Sequence, residues 1–126
     1  MSGDQKKILI IDDEPTLVLM ITKRLESSGF QVISAGSGAE GLNKAREEKP
    51  DLILLDVMMP EMDGFEVLKT LRQTPETSEI SVVIFTAGAN PKWQEKAVTL
   101  KADDFVNKMM PFEDLLQKLR MLLYES

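Results

Sequence analysis

The stretch Asp51-Leu52-Ile53-Leu54-Leu55-Asp56 sets four aliphatic side chains in a row and then stops on a carboxylate. A run this short and this apolar, bounded by Pro50 on one side and Asp56 on the other, reads as a strand buried on both faces. Its closing carboxylate then stands at the rim of a sheet. Two further runs end in the same way: Lys7-Ile8-Leu9-Ile10-Ile11 runs into Asp12-Asp13-Glu14, and Val82-Val83-Ile84-Phe85 into the hydroxyl of Thr86. Parallel strands would deliver these groups to one edge, at the carboxyl ends where open α/β sheets bind ligands.

Amphipathic stretches separate the apolar runs, and this alternation predicts a parallel sheet covered by helices on both faces. The first strand is expected over Lys7 to Ile11. A helix should follow from Glu14-Pro15 to Ser27, with proline at the first helical position, Leu17, Met20, Ile21 and Leu25 inward, and Gly29 ending it. Gln31 to Ala35 is the second strand. Ser37 followed by Glu40 forms a capping box for a helix from Gly38 to Glu48, burying Leu42 and Ala45.

The third strand is Asp51 to Leu55. Beyond the loop Val57 to Asp63, a helix from Gly64 to Gln73 turns Phe65, Leu68 and Leu71 inward, and a polar connection leads to the fourth strand, Ser81 to Phe85. Asn90-Pro91 starts a fourth helix ending near Leu100, with Trp93 assigned to its inner side. A short strand from Asp104 to Asn107 and a helix after Pro111, with Leu115, Leu116, Leu119, Leu122 and Leu123 at helical spacing, complete the pattern. Residues 1–126 are expected to form one domain with a core over about 6–124.

Composition narrows the chemistry. With no cysteine and no histidine among 126 residues, thiol nucleophiles, zinc-thiolate sites, Ser-His dyads and a phosphohistidine within this chain are excluded. A formal charge of −6 repels a phosphate backbone, so nucleic-acid binding by this chain is not expected. No run approaches the roughly 18 apolar residues of a membrane span, and the polar start lacks a signal peptide's apolar stretch, so a cytoplasmic setting is expected.

Asp12, Asp13 and Asp56 gathered at one edge repel one another unless a positive group joins them. Mg²⁺ suits such oxygen ligands, and Lys108, just after the last strand, brings an ammonium to the same edge. A carboxylate beside Mg²⁺ and lysine can itself attack a phosphoryl group and form an aspartyl-phosphate, with Lys108 and Mg²⁺ neutralising its oxygens and Thr86 offering a hydroxyl. Taken singly, each residue has an ordinary structural use: Asp12 or Asp13 as a helix cap, Thr86 as a strand residue, Lys108 as a solvated charge. Their coincidence at the ends of different strands favours the chemical reading. Asp63, Asp103 and Asp104 are assigned to turns and caps.

The motifs Ile10-Ile11-Asp12-Asp13-Glu14, Asp56-Val57-Met58-Met59-Pro60-Glu61-Met62-Asp63-Gly64, Phe85-Thr86-Ala87 and Ala102-Asp103-Asp104-Phe105-Val106-Asn107-Lys108, in this order, give the chain its likeness to a known family. The chain resembles the receiver domain of bacterial two-component response regulators. The resemblance implies a flavodoxin-like sheet of order 2-1-3-4-5. It implies Asp56 as phosphoacceptor, Asp13 and Asp56 as direct Mg²⁺ ligands, Asp12 as a partner through water, and Met58 as a backbone-carbonyl ligand. Lys108 resembles the phosphate-contacting lysine, Thr86 the switch hydroxyl and Phe105 the switch aromatic. A histidine kinase or histidine phosphotransferase would supply the phosphoryl group. The protein would not be an enzyme in the turnover sense, catalysing only its own phosphoryl acceptance and loss. The face built from the fourth helix, fifth strand and fifth helix would serve output or homodimerisation.

The chain departs from the family pattern in two places. The family follows its lysine directly with proline in a cis bond, whereas here Met109 and Met110 intervene before Pro111, so a trans bond or a rebuilt loop is expected. Lys101 stands where the family favours glycine, and a left-handed conformation there would cost roughly 1 kcal/mol. Three other functions share parts of this pattern. A flavin carrier is opposed by the acids after the first strand. A phosphohydrolase is opposed by Met58 at the position of its second acid. A receiver-like interaction module that has lost phosphorylation draws support from the altered loop after Lys108.

Overall fold

A computed structural model describes residues 5–59, 62–88 and 90–124. Pro60 and Glu61 of the second motif lie outside the described residues. The elements are β1 (Lys7–Ile11), α1 (Pro15–Ser27), β2 (Gln31–Ala35), α2 (Gly38–Glu48), β3 (Leu52–Leu55), α3 (Gly64–Gln73), β4 (Ser81–Thr86), α4 (Pro91–Thr99), β5 (Asp104–Asn107) and α5 (Phe112–Tyr124). The five strands are all parallel, in the order β2-β1-β3-β4-β5.

Alternation along the central strands divides the core in two. Leu9, Ile11, Ile53, Leu55, Val82 and Ile84 face α2, α3 and α4, while Ile8, Ile10, Leu52, Leu54, Val83 and Phe85 face α1 and α5. Both sets are sealed from water, each side chain contributing about 1.5–3 kcal/mol of burial. This explains why β1, β3 and β4 read as continuous apolar runs. Position β2 lies at the sheet edge, and its middle residues are only half-buried.

Local chemistry sets the helix ends. Ser37 Oγ accepts the Glu40 N–H at 3.2 Å, and Glu40 Oε1 accepts the Gly36 N–H at 2.9 Å, which is the predicted capping box shifted by one donor. Asp63 Oδ1 accepts the Glu66 N–H at 3.0 Å, as its assignment to a cap requires. Neither Asp12 nor Asp13 caps α1; Glu14 holds that position, with Pro15 at the first helical residue. Met20, expected inward, is 51 % exposed, because Leu17, Val18, Ile21 and Leu25 already form the face of α1 that meets the sheet. Asp51 stays outside β3 because its carboxylate accepts the Lys7 N–H at 2.8 Å. Thr86 extends β4 by pairing with Asn107.

No cis peptide bond occurs among the described residues, so the chain after Lys108 is trans as expected. Asn107 rebuilds the loop there: its Oδ1 accepts the Met109 N–H at 2.7 Å and its carbonyl the Met110 N–H at 3.0 Å. Lys101 adopts φ 69°, the left-handed conformation that its replacement of glycine suggested.

Candidate functional site at the acidic sheet edge

Register brings the acids together. Ile11 pairs with Leu55, so Asp12 and Asp56 step off adjacent strands at the same level. The Asp12 N–H donates to the Ala35 carbonyl at 3.0 Å and the Asp56 N–H to the Ile11 carbonyl at 3.0 Å, which carries the ladder one residue beyond each strand. On the other side of β4, Thr86 pairs with Asn107, and the Lys108 N–H donates to the Thr86 carbonyl at 2.9 Å. Four strands thus place Asp12, Asp56, Thr86 and Lys108 at one edge.

Asp12, Asp56 and Thr86 are buried, and Asp13 is exposed. One carboxylate oxygen from each of Asp12, Asp13 and Asp56 lies within 4.8 Å of the others. Lys108 Nζ reaches Asp12 Oδ2 at 2.7 Å, Asp56 Oδ2 at 3.1 Å and Glu14 Oε1 at 3.3 Å. The ammonium thus compensates the two buried carboxylates together, with the shorter contact to Asp12. The remaining oxygens are anchored locally: Asp12 Oδ1 accepts the Glu14 N–H at 2.9 Å, and Asp56 Oδ1 the Met58 N–H at 3.1 Å.

The electrostatics follow from burial. Burial raises the Asp12 carboxyl above its ordinary 3.8; Lys108 and the Glu14 N–H oppose the rise, and the Asp56 charge adds to it. For Lys108, burial alone would favour the neutral amine. The Asp12 and Asp56 carboxylates outweigh it and raise the ammonium above 10.5, so it stays charged.

Thr86 Oγ1 is fully buried and has no hydrogen-bond partner among the described residues. A hydroxyl left unpaired in the interior is costly, and this one sits in the strand that flanks Asp56. Phe105 is half-buried against the α2, α3 and α4 side of the sheet, the side that Ile84 and, by alternation, Thr86 also face. Gly64 is required where α3 meets this edge, because a Cβ there would overlap the Asp56 carbonyl oxygen and lie 2.6 Å from Val57 Cα. The Met58 side chain is 55 % exposed. Trp93 is half-buried, edge-on to Phe65 with ring centroids 6.5 Å apart, and lies over Gly88 where no Cβ fits.

The structure adds contacts that the sequence does not reveal. Glu14 is the third carboxylate on Lys108; its only signal is negative, since a glutamate at a helix N-cap makes no capping bond here and its side chain is left to reach elsewhere. Asp103, assigned to a turn or cap, lies at a bend before β5 and also ties it to β4, its Oδ2 accepting the Val82 N–H at 2.8 Å. Asp104 Oδ1 accepts its neighbour Phe105's N–H, and its Oδ2 accepts from Lys118 Nζ at 3.1 Å.

Residues 8–120 match the model of the response regulator receiver domain. The chain belongs to that family. The receiver domain is 40 % identical over 121 residues to the alkaline phosphatase synthesis transcriptional regulatory protein PhoP of Bacillus subtilis, covering 96 % of this chain and 50 % of that protein. It is 37 % identical over 117 residues to protein PilH of Pseudomonas aeruginosa, covering 93 % of this chain and 97 % of that one. It therefore spans about half of the transcriptional regulators it matches and nearly all of PilH. Among solved structures, the CheY-like receiver domain protein of Methanospirillum hungatei superposes with a TM-score of 0.90 at 29 % identity, covering 96 % of this chain and 95 % of that one. The BeF3-activated receiver domain of Klebsiella pneumoniae RstA superposes with a TM-score of 0.88 at 28 % identity, covering 94 % and 98 %. The flavodoxin-like sheet order expected of a two-component receiver is the one observed. Among the described residues, no helix is long and apolar enough to cross a membrane.

Proposed function

We propose that this receiver domain accepts a phosphoryl group on Asp56 from the phosphohistidine of a histidine kinase or histidine phosphotransferase, with Mg²⁺, and signals through the face formed by α4, β5 and α5. The observation that carries the reading is the position of Lys108: its ammonium lies within 3.1 Å of both Asp12 and Asp56, although the loop beyond it is rebuilt.

An Asp56 carboxylate oxygen attacks the phosphorus in line with the phosphorus–nitrogen bond of the donor. The new phosphorus–oxygen bond forms as that bond breaks, and its electron pair leaves with the imidazole nitrogen. Lys108 meets the charge on the transferred group, and no other strong base or nucleophile is needed. Thr86 has a buried hydroxyl with no partner among the described residues, and a phosphoryl oxygen on Asp56 would give it one.

The donor set fits a hard cation. Three carboxylates converge within 4.8 Å, and neither histidine nor cysteine competes. Asp13 and Asp56 would hold Mg²⁺ directly, Asp12 through water, and Met58 through its carbonyl. When bound, Mg²⁺ supplies neutralisation of the phosphoryl oxygens as they approach the acids. Phosphorylation then draws Thr86 toward the new oxygens, Phe105 turns into the space it leaves, and the α4, β5, α5 face changes shape for an output partner or a second copy. We place the protein in the cytoplasm and assign it no nucleic-acid contact of its own and no catalytic turnover beyond its own phosphorylation and dephosphorylation.

The alternative, an interaction module that no longer takes phosphate, drew its support from the loop after Lys108, and the retained Lys108–Asp56 contact weakens it. The test is transfer from a small acyl-phosphate donor. Phosphoryl uptake should require Mg²⁺ and vanish in Asp56→Asn; uptake that persists in that variant would reject the reading.

A further inference from the structure

Helix α4 is held very differently at its two ends. Of its 9 residues only Ala97 is buried. Among the described residues, the N-terminal end is held by a local cap, in which Asn90 Oδ1 accepts the Lys92 N–H at 2.9 Å, and by the seat of Trp93 on Gly88 and the edge of Phe65. These are a turn and van der Waals packing.

The C-terminal end is clamped. The Ala102 N–H donates to the Ala97 carbonyl at 2.8 Å, and the chain reverses through Lys101 in its left-handed conformation. Arg72, near the end of α3, then takes hold of the turn. Its Nε and Nη2 donate to the Lys101 carbonyl at 3.0 and 2.9 Å, its Nη1 to the Ser78 and Ile80 carbonyls at 3.1 and 2.7 Å, and its Nη2 also to Asp103 Oδ2 at 3.1 Å. A guanidinium has five N–H donors in a rigid fork, and here all of them are used, on a side chain 15 % exposed. Asp103 continues the connection into the sheet through the Val82 N–H.

We propose that Arg72 is the pivot of α4: it fixes the C-terminal end of the helix to the sheet, so that switching swings the N-terminal end and lifts Trp93 from its seat on Gly88. The proposal rests on the phosphoacceptor reading above, since the chemistry at Asp56 is what displaces Thr86 and the segment leading into α4. It makes Arg72 a positioning residue that decides which end moves. A lysine in its place concentrates the charge at one point and cannot span the Lys101, Ser78 and Ile80 carbonyls together.

The chain has no cysteine, so pairs of introduced cysteines can carry spin labels without a background signal. One label goes at Glu47→Cys on α2. The second goes at Lys92→Cys or at Val98→Cys, near the two ends of α4. Distances are measured with Mg²⁺, before and after beryllofluoride, whose binding is followed separately by fluorine NMR. The Lys92 distance should shift by about 2 Å or more on binding, while the Val98 distance stays fixed. In Arg72→Met, and in Arg72→Lys should the first variant fold poorly, the Val98 distance should shift or broaden as well. A Val98 shift equal to that at Lys92 in the unsubstituted background would overturn the pivot. So would a Val98 distance that stays fixed in the folded Arg72 variant. Absence of bound beryllofluoride by NMR would overturn the phosphoacceptor reading itself, and the pivot with it.

Discussion

Lys108 Nζ lies 2.7 Å from Asp12 Oδ2, with the two side chains 8 % and 2 % exposed. A contact this dry makes each charge depend on the other. Removing the cation by Lys108→Met leaves Asp12 and Asp56 facing each other without compensation, a change that costs about 3 kcal/mol for a buried pair. Urea unfolding in the presence of a chelator should show that loss, and phosphoryl uptake should fall with it. Unchanged stability would mean that the acids are relieved in some other way.

Mg²⁺ should stabilise the folded protein in proportion to its occupancy, by about 2.7 kcal/mol at a concentration one hundred times its dissociation constant. The effect has a defined pH dependence. The folded pKa of Asp12 is raised above 3.8, so without metal its contribution to stability is fully present below 3.8 and is lost as pH rises through the folded value. Stabilisation by Mg²⁺ should therefore grow with pH across that window, as the metal replaces the proton. Thermal melts with and without Mg²⁺ across the acid range check this, and a metal effect that is constant or shrinks with rising pH would count against an Mg²⁺ site at Asp12.

The exposed Met58 side chain begins two residues past Asp56, and its N–H is bonded to Asp56 Oδ1. An apolar side chain there can keep water from the acyl phosphate. Met58→Asn should lose phosphate severalfold faster than the unsubstituted protein, as followed by decay of the labelled protein. Loss that is unchanged or slower would contradict a shielding role.

Lys101 holds φ 69° at a turn where glycine carries no such penalty. Relief of about 1 kcal/mol is partly offset by the greater chain entropy of glycine when unfolded, about 0.4–1 kcal/mol. Lys101→Gly should therefore leave stability equal or raise it slightly in urea unfolding, whereas most substitutions lower it. A clear loss would show that the lysine side chain supports the turn.

The strands, their order of burial and the four polar groups at their ends were legible in the sequence because each depends on a local pattern: an apolar run and the residue that closes it. Asp63 and Ser37 were legible as caps for the same reason. Met20 was not, because helical spacing allows a stripe wider than the sheet has room to cover. Arg72 and Glu14 were invisible for a different reason. Their partners, Lys101, Asp103 and Lys108, are brought to them only by the folded topology, and nothing in the neighbouring residues marks either charge as one that will find a partner far along the chain. The loop after Lys108 was a recognisable departure, yet its effect was not. Asn107 absorbs the two extra residues in a side-chain turn and leaves Lys108 at the acidic edge.

Everything at this edge turns on the carboxylate that closes β3 accepting a phosphoryl group. Incubation with a small acyl-phosphate donor and Mg²⁺, followed by peptide mass mapping, tests it most directly. One added phosphoryl group is expected, carried on Asp56. A phosphoryl group mapped to Asp12, Asp13 or any other residue, or none at all while Mg²⁺ is bound, would contradict it.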